Sequence, residues 1–177
     1  SVADPARFKE KAQQLANSGV AVTVLPSTDL FLMGRHQNCG VIRGVTAAHK
    51  LRCEGVNCSL STNNVLNPFT PFGDCSLIRM ANLYANICQV GTRDDIIECY
   101  EMISNHSARL LRLNGYGLEV GKKADLVVLN CYDRATAITE LADTLWGFKR
   151  GRVTFTRKSA ELHRPGPIED DTLSISS

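Results

Sequence analysis

The sequence lacks the features that define several large classes of protein. It has no signal-peptide pattern and no apolar run long enough to cross a bilayer. The net charge is only +2, and lysine and arginine are spread along the chain, so neither nucleic acid nor a membrane is expected as a partner. With 44% hydrophobic and 21% charged residues, the chain has a globular composition. Its 177 residues, which begin at Ser1 instead of methionine, fit one processed domain or part of a larger one.

Closely spaced cysteine pairs are missing too. The seven cysteines include no CxxC pair, which argues against a zinc cluster, and their number is odd. Most of them lie in apolar patterns, so we expect reduced, buried thiols that act as small hydrophobic side chains. That usage points to a reducing compartment and predicts a cytoplasmic protein.

Sequence signatures of catalysis are also absent. There is no GxSxG elbow, no P-loop, no GxGxxG after a strand, and no HxH or HExxH metal motif. Among the isolated histidines, we expect His49 on a helix surface and His163 exposed in the tail. His106 is expected to cap or pack at a helix start, and His36 lies in a loop, either solvated or lining a pocket. The residues alone therefore do not assemble a complete active site.

The sequence does contain a repeated order of helix, glycine and apolar strand. Gly19 leads into the apolar run 20–25, and Gly55 leads into a second run, 57–60. Short apolar runs of this kind are typical of strands covered on both faces. We therefore predict two adjacent, parallel, buried strands joined by a right-handed crossover.

The second half of the chain has a different order of elements. Helices follow one another without a strand between them, so the parallel sheet is predicted to end, and a small antiparallel unit with a turn at 149–151 comes after them. The predicted elements are a loop over 30–44, helices over 45–53, 76–89, 93–103, 108–113 and 137–143, and strands over 126–129, 145–148 and 153–156.

Polar side chains follow the two predicted parallel strands. Asp29 comes after the first strand, and Thr62, Asn63 and Asn64 come after the second. Ligands of α/β proteins bind outside the carboxyl ends of parallel strands, so these residues are candidates for a site. An asparagine-rich turn with no further role explains the second group equally well, because asparagine and serine favour turns.

Two segments resemble the closing signature of the amidohydrolase superfamily. They are Asn105-His106-Ser107-Ala108-Arg109-Leu110-Leu111 and the run from Gly117 to Leu129, which reads G-x-x-x-G-K-x-A-D-L-V-V-L. Segments 26–35 and 55–73, the latter with Asn67-Pro68 and Pro71-Phe72-Gly73, resemble the regions around the seventh and eighth barrel strands of the cytosine-deaminase-like branch. The resemblance covers nearly all of the chain up to about Arg157.

The resemblance implies an α/β fold, the carboxyl-terminal portion of a (β/α)8 barrel followed by strands of a small β-sandwich. Residues 1–114 would form the last part of the barrel, 115–158 part of the sandwich, and 159–177 a mobile tail. The complete enzyme would hydrolyse a C–N bond of a cyclic or heterocyclic amine or amide, with a water activated by zinc or iron as the nucleophile.

The resemblance also implies which site residues this chain carries. The family's histidine ligands and its proton-shuttling glutamate would precede the sequence, so no metal is expected within this chain alone. The family's metal-binding aspartate falls on Asn63, whose amide can offer an oxygen ligand but is not a useful base. Asn64, Asp29 and Arg35 are the substrate-binding candidates.

Three functional hypotheses follow. The first is the carboxyl-terminal part of a metal-dependent amidohydrolase, and the second is a non-catalytic fragment or subunit with no activity of its own. The third is an unrelated α/β binding module. Under the first two, the expected partner is the amino-terminal remainder of the barrel or a homologous chain, and the small-molecule ligand is a heterocycle. Two strands of an eight-stranded barrel leave open edges, so oligomerisation is expected.

Overall fold

The computed structural model describes residues 4–163. Its helices are α1 (Pro5–Asn17), α2 (Pro26–Leu32), α3 (Ala48–Arg52), α4 (Leu77–Ile87), α5 (Arg93–Ile103), α6 (Asn105–Leu110) and α7 (Arg134–Thr139). Its strands are β1 (Val22–Val24), β2 (Cys58–Leu60), β3 (Leu126–Leu129), β4 (Thr144–Lys149) and β5 (Arg152–Thr156). No helix of the described range combines the length and the apolar character needed to cross a membrane.

The first two strands form a two-stranded parallel sheet. Val22 pairs with Cys58 and Val24 with Leu60, which confirms the predicted parallel neighbours. All three residues of β2 are buried, whereas Thr23 in the middle of β1 is exposed. The prediction that both strands are buried is therefore wrong for β1, because the helices cover the face of Val24 and leave the Thr23 side chain open.

The core lies between the parallel pair and the helices. Val24, Cys58 and Leu60 contribute from the strands, and Tyr84 and Met102 contribute the largest helical side chains. Each of these residues is at most 3% exposed. Burying a large apolar side chain is worth about 1.5–3 kcal/mol, so this layer contributes strongly to the stability of the fold.

Side-chain caps start several of the helices. Asp4 accepts from the Ala6 amide, Ser76 from the Arg79 amide and Thr92 from the Asp95 amide. Asp74 stands two residues before the cap Ser76, where it accepts from the Ser76 amide and binds Arg79.

Several of the predicted helix boundaries are wrong. Part of the predicted loop 30–44 is the end of α2, which begins with Pro26 at its first turn, a position that suits proline. The predicted helix over 45–53 is only the short α3. Helix α6 starts three residues before the predicted 108, and α7 starts before the predicted 137 because Asp133 caps it.

The last three strands form an antiparallel sheet in the order β3-β4-β5. The turn between β4 and β5 lies where it was predicted, and Asp125 holds it by accepting from Lys149 Nζ at 2.5 Å and from the Arg150 amide at 2.7 Å. All of β5 is exposed, as is much of β3. Of the predicted tail, residues 159–163 have no regular structure, and 164–177 lie outside the described residues.

Candidate functional site

The carboxyl ends of β1 and β2 lie side by side. Val24 and Leu60, the last residues of the two strands, are paired, and the Ser61 amide donates to the Val24 carbonyl at 3.1 Å. Helix α2 and the β2–α4 loop (residues 61–76) therefore start from the same edge of the sheet. In parallel α/β proteins this edge carries the ligand site.

A buried pair of hydroxyls fastens the β2–α4 loop to α2. The side-chain oxygens of Thr28 and Thr70 are 2.9 Å apart, and both residues are buried. Thr28 Oγ1 also donates to the Thr62 carbonyl at 3.3 Å. These bonds fix the loop at two points, one close to the strand end and one near its middle.

Asn67 organises the middle of the loop. Its Oδ1 accepts from the Phe69 amide at 3.0 Å and from the Thr70 amide at 3.1 Å. Its Nδ2 donates to Asn64 Oδ1 at 2.9 Å. The side-chain oxygen of Asn64 is therefore engaged inside the loop, and the role of Asn64 in binding substrate stays a prediction.

Asn63 occupies a special backbone position at the start of the loop. It follows the last residue of β2 by three positions, is exposed, and has a φ of 56°. This left-handed conformation is uncommon for residues other than glycine, and asparagine and aspartate tolerate it best among them. Its assignment to the metal-binding position stays a prediction.

The other two candidates lie on the α2 side. Asp29 is half-buried in the first turn of α2, not in a loop after the strand. Arg35 is exposed, and its guanidinium carbon lies 4.8 Å from the centre of the Phe31 ring. Phe31 in turn meets Phe72 edge to face at 5.9 Å. Within residues 4–163, no hydrogen bond or ion pair joins any two of the four predicted site residues (Asn63, Asn64, Asp29 and Arg35).

The described residues do not form a metal centre. Among residues 4–163, no group of three or more histidine, cysteine, aspartate or glutamate side chains could hold a metal ion. Asn63 is the position implied for a metal ligand, but it is neutral and stands alone at the edge of the sheet. These residues therefore do not fit a metal without further ligands, and the expectation that this chain holds none of its own stays a prediction.

A second polar group lies at the opposite, amino end of β2 and was missed by the sequence analysis. Its members, here called the floor cluster, are Arg52, Asn57, Glu98 and His106. Arg52 Nε is 3.4 Å from Glu98 Oε1 and 3.4 Å from His106 Nε2. His106 Nδ1 is 3.3 Å from Glu98 Oε1, and Asn57 Nδ2 donates to the His106 carbonyl at 3.2 Å. The members are far apart in the sequence, so no local motif indicates that they form a cluster.

Burial shifts the titration of the floor cluster. Desolvation raises the pKa of Glu98, although the Arg52 charge opposes this. Desolvation, together with the charges of Arg52 and Arg109, lowers the pKa of His106. His106 is 4% exposed, in agreement with the expected packing role. A neutral imidazole is therefore the form that this site favours.

His49 was predicted on a helix surface, and that prediction is wrong. It is 6% exposed. Its backbone amide donates to the Tyr84 hydroxyl at 3.0 Å, and its Nδ1 is 2.7 Å from the same oxygen. Helix α3 has only five residues and packs closely against the core, so even its polar side chain turns inward. Desolvation lowers the pKa of His49 and raises that of Tyr84.

The cysteines are less buried than predicted. Cys58 and Cys99 are buried, and burial raises their pKa to about 11 and about 12, so both are protonated thiols at neutral pH. Cys39, Cys53 and Cys75 are exposed, because they stand in loops or at a helix end. The prediction that most are buried is therefore wrong.

A comparison with known families decides the affiliation. The model described as "Amidohydrolase family" matches residues 2–155. The chain belongs to the amidohydrolase family. A curated member, N-isopropylammelide isopropyl amidohydrolase of Pseudomonas sp. strain ADP, is 35% identical over 105 residues, which are 59% of this chain and 26% of that protein. The resemblance noted in the sequence is thereby confirmed.

Solved amidohydrolase structures show the same likeness. The 5-methylcytosine deaminase of Klebsiella pneumoniae, solved with 5-fluorocytosine, is 27% identical with a TM-score of 0.83, over 92% of this chain and 40% of that one. Atrazine chlorohydrolase TrzN of Arthrobacter aurescens TC1, solved with zinc, shares the fold at 20% identity and a TM-score of 0.59, over 82% and 33% of the chains. The amidohydrolase chain is thus cytosine-deaminase-like and spans about a quarter to two fifths of these relatives.

Proposed function

We propose that this chain supplies the last two β/α units, strands seven and eight, of the barrel of a metal-dependent amidohydrolase. The observation that carries the proposal is the parallel β1–β2 pair, in a chain that matches 5-methylcytosine deaminase over 92% of its length. In this proposal residues 1–114 are barrel and 115–158 are strands of the small β-sandwich. The antiparallel sheet β3-β4-β5, with its exposed faces, supports the second assignment.

The proposed reaction of the complete enzyme is hydrolysis of a C–N bond in a cyclic or heterocyclic amine or amide. Two relatives are named for reactions of this type, an N-isopropylammelide isopropyl amidohydrolase and a 5-methylcytosine deaminase. A pair of parallel strand ends with a fastened polar loop is a suitable edge for such a ligand. Asn64, Asp29 and Arg35 are our proposed contacts to it.

The proposed cofactor is a divalent metal, zinc or iron, held by histidines from the rest of the barrel. When bound, it would activate the attacking water. The residue that this chain offers is Asn63. Its side-chain oxygen can accept a hydrogen bond or bind a metal, but it cannot act as a base. Loss of a general base costs about 10²–10⁴ in rate, so the complete enzyme is expected to be a slow deaminase or to rely on a substrate that supplies its own base.

A second candidate function is a non-catalytic part that needs a partner chain. Asn63 at the implied ligand position and the lack of a metal-holding group among residues 4–163 favour it. In both cases the proposed partner is the rest of a barrel, in the same protein or in another chain, and the proposed location is the cytoplasm. The chain by itself is then expected to oligomerise or aggregate, and a monodisperse monomer in sedimentation would contradict this.

Asn63→Asp in the complete enzyme separates the two functions. If Asn63 stands at the ligand position, the new carboxylate should raise metal affinity, measured by titration, and raise deaminase turnover on a panel of cyclic amines and amides by about 10²-fold or more. Asn86→Asp is the matched control, because it adds the same charge at an exposed position of α4 outside the proposed contacts and should do neither. If Asn63→Asp leaves the metal affinity unchanged and the wild type already has a high turnover, Asn63 does not stand at the ligand position.

A further inference from the structure

A polar groove opens beside the floor cluster. Its volume is about 880 Å³, and α3, α5, α6 and the segment that follows α6 line it. The lining includes three arginines, Arg52, Arg109 and Arg112. It also includes two carboxylates, Glu98 and Glu101. The charge that the groove offers to a ligand therefore depends on which of these groups are already paired within the chain.

Each of the two carboxylates already has a cation beside it. Glu101 Oε1 accepts from Arg134 Nη1 at 2.8 Å, and Arg134 is not part of the lining. Glu98 Oε1 lies 3.4 Å from Arg52 Nε. The negative charges of the groove are therefore balanced without the two remaining arginines of the lining.

Those two arginines, Arg109 and Arg112, carry charges with no partner in the described part of the chain. Both residues are exposed, and within residues 4–163 neither guanidinium group forms an ion pair or a side-chain hydrogen bond. They lie at the carboxyl end of α6, where a cation also interacts favourably with the helix dipole, so their position alone does not identify a binding site. The buried side chains beside them give a second, independent indication.

Two buried polar atoms in the wall of the groove have no hydrogen-bond partner within residues 4–163. They are Glu98 Oε1 and His106 Nδ1, which lie 3.3 Å apart without hydrogen-bond geometry. His106 Nε2 accepts from Arg52 Nε at 3.4 Å, so a neutral ring carries its proton on Nδ1. Buried polar atoms are nearly always paired. One donor and one acceptor, at a side chain that is only 5% exposed and its neighbour, thus await a ligand that can both accept and donate.

We propose that this groove binds a phosphate group that carries one P–O–H, as inorganic phosphate or as a phosphate ester. Guanidinium groups suit phosphate oxygens, because they can donate two parallel hydrogen bonds to them. Arg109 and Arg112 bind the unprotonated oxygens, and the Nδ1–H of His106 donates to one of these. The P–O–H donates to the Glu98 carboxylate. The proposal does not depend on the proposed function, because this chain supplies every residue of the site.

Glu98 makes the groove selective between anions of similar size. At neutral pH inorganic phosphate still carries a proton on at least one oxygen, whereas sulfate carries none. An ionised carboxylate only accepts hydrogen bonds, so it attracts the P–O–H and repels sulfate. Burial raises the pKa of Glu98, but the neighbouring Arg52 charge opposes this and favours the carboxylate.

The test titrates the full chain with sodium phosphate and, separately, with sodium sulfate at neutral pH and equal ionic strength. Calorimetry measures the two affinities, and we expect phosphate to bind about tenfold or more tightly than sulfate, because only phosphate forms the charge-assisted bond to Glu98. The melting temperature is a second readout. Both anions stabilise proteins in general by exclusion from the surface, so a larger rise with phosphate reports the specific site.

Three variants test the assigned contacts. Arg109→Gln and Arg112→Gln should each weaken phosphate binding about tenfold, because each removes a charged donor. Glu98→Gln should bring the affinities for phosphate and sulfate close together, since the amide can donate to either anion and no longer repels sulfate. Arg43→Gln is the matched control. It removes the same charge from an exposed loop residue outside the groove and should bind phosphate like the wild type.

A titration with phenyl phosphate identifies the source of the phosphate group. It is carried out near pH 6, where an ester still carries a P–O–H in part because its second pKa is about 6. The groove is much larger than a phosphate group, and Leu113 and Tyr116 line it as well. Tighter binding than inorganic phosphate at the same pH supports the proposal and indicates an organic ester. Equal or weaker binding, with inorganic phosphate still bound, supports the proposal with free phosphate as the ligand.

Three results would overturn the proposal. The first is a wild type that does not bind phosphate, and the second is a wild type that binds phosphate and sulfate equally, which is attraction to positive charge alone. The third is phosphate binding that Arg109→Gln and Arg112→Gln leave unchanged, because the two arginines then serve only the end of α6. Circular dichroism checks that each variant is folded, and if Glu98→Gln is not, the two arginine variants and the comparison of anions in the wild type decide the question.

Discussion

The two sheets of the molecule differ in how they are stabilised. The parallel pair has strands of only three residues, yet β2 is fully buried under helices. The antiparallel sheet has strands of four to six residues and a longer ladder of hydrogen bonds, yet Val127, Trp146 and Val153 are 44% or more exposed. A hydrogen bond within the protein replaces one with water, so its net contribution to stability is small. We therefore expect the buried apolar side chains to make the parallel region the more stable of the two.

The largest expected effect comes from truncating the buried strand. Leu60→Ala should lower the free energy of unfolding by about 2–5 kcal/mol, because the 2% exposed side chain leaves a cavity in the core. Val153→Ala in β5 is the matched control, and its 53% exposed side chain should cost well under about 1 kcal/mol. Urea denaturation monitored by circular dichroism measures both. Equal losses would show that the two sheets are equally well packed.

Tyr84→Phe should have the next largest effect. It removes one oxygen that serves both the backbone amide and Nδ1 of His49, and it leaves these buried groups unpaired. We expect a loss of about 1–3 kcal/mol in the same denaturation experiment. Tyr132→Phe, at a position that is fully exposed, should change nothing measurable. If Tyr84→Phe leaves the free energy of unfolding unchanged, a water molecule takes the place of the hydroxyl.

The smallest expected effect is a dependence on pH confined to the parallel region. Burial lowers the pKa of His49 in the folded state, so below about pH 6.5 the unfolded chain binds more protons than the folded one. This contribution to stability is present above that pH and is lost as the pH falls towards the lower folded pKa. Asp95 opposes the shift and Lys50 adds to it.

Two spectroscopic probes can locate this acid sensitivity. Trp146, the only tryptophan, reports on the antiparallel sheet, whereas far-ultraviolet circular dichroism is dominated by the helices. As the pH is lowered from 7 to 5, the melting temperature followed by circular dichroism should fall before the melting temperature followed by Trp146 fluorescence. His49→Asn keeps an acceptor near the Tyr84 hydroxyl and should make that decline shallower; burial also lowers the pKa of His106, which accounts for the rest. Coincident changes of both probes in the wild type would show that the two regions unfold as one.

Local sequence patterns predicted much of this fold. The glycine-led apolar runs located β1 and β2, because a buried strand has a recognisable apolar pattern. The structure confirms that the two strands pair in parallel. The start of α6 and the burial of His49 were missed, since both depend on contacts with residues distant in the sequence. The turn held by Asp125 was found from its lysine, arginine and glycine alone.

The candidate site was less predictable than the fold. Asn63 and Asn64 stand at the expected strand end, but the role of either in binding stays a prediction. The hydrogen bond that engages Asn64 comes from Asn67, and its direction depends on the loop conformation, which no spacing rule supplies. The floor cluster joins residues from α3, α5, α6 and the start of β2, so only the folded chain brings it together.

The left-handed backbone at residue 63 has an evolutionary consequence. At this φ of 56°, glycine, asparagine and aspartate are the side chains that fit with least strain. The codons of asparagine and aspartate differ only in their first base. A single-nucleotide change can therefore add or remove a carboxylate at the end of this strand while the turn keeps its shape, so lineages can switch the charge here without first evolving a new loop.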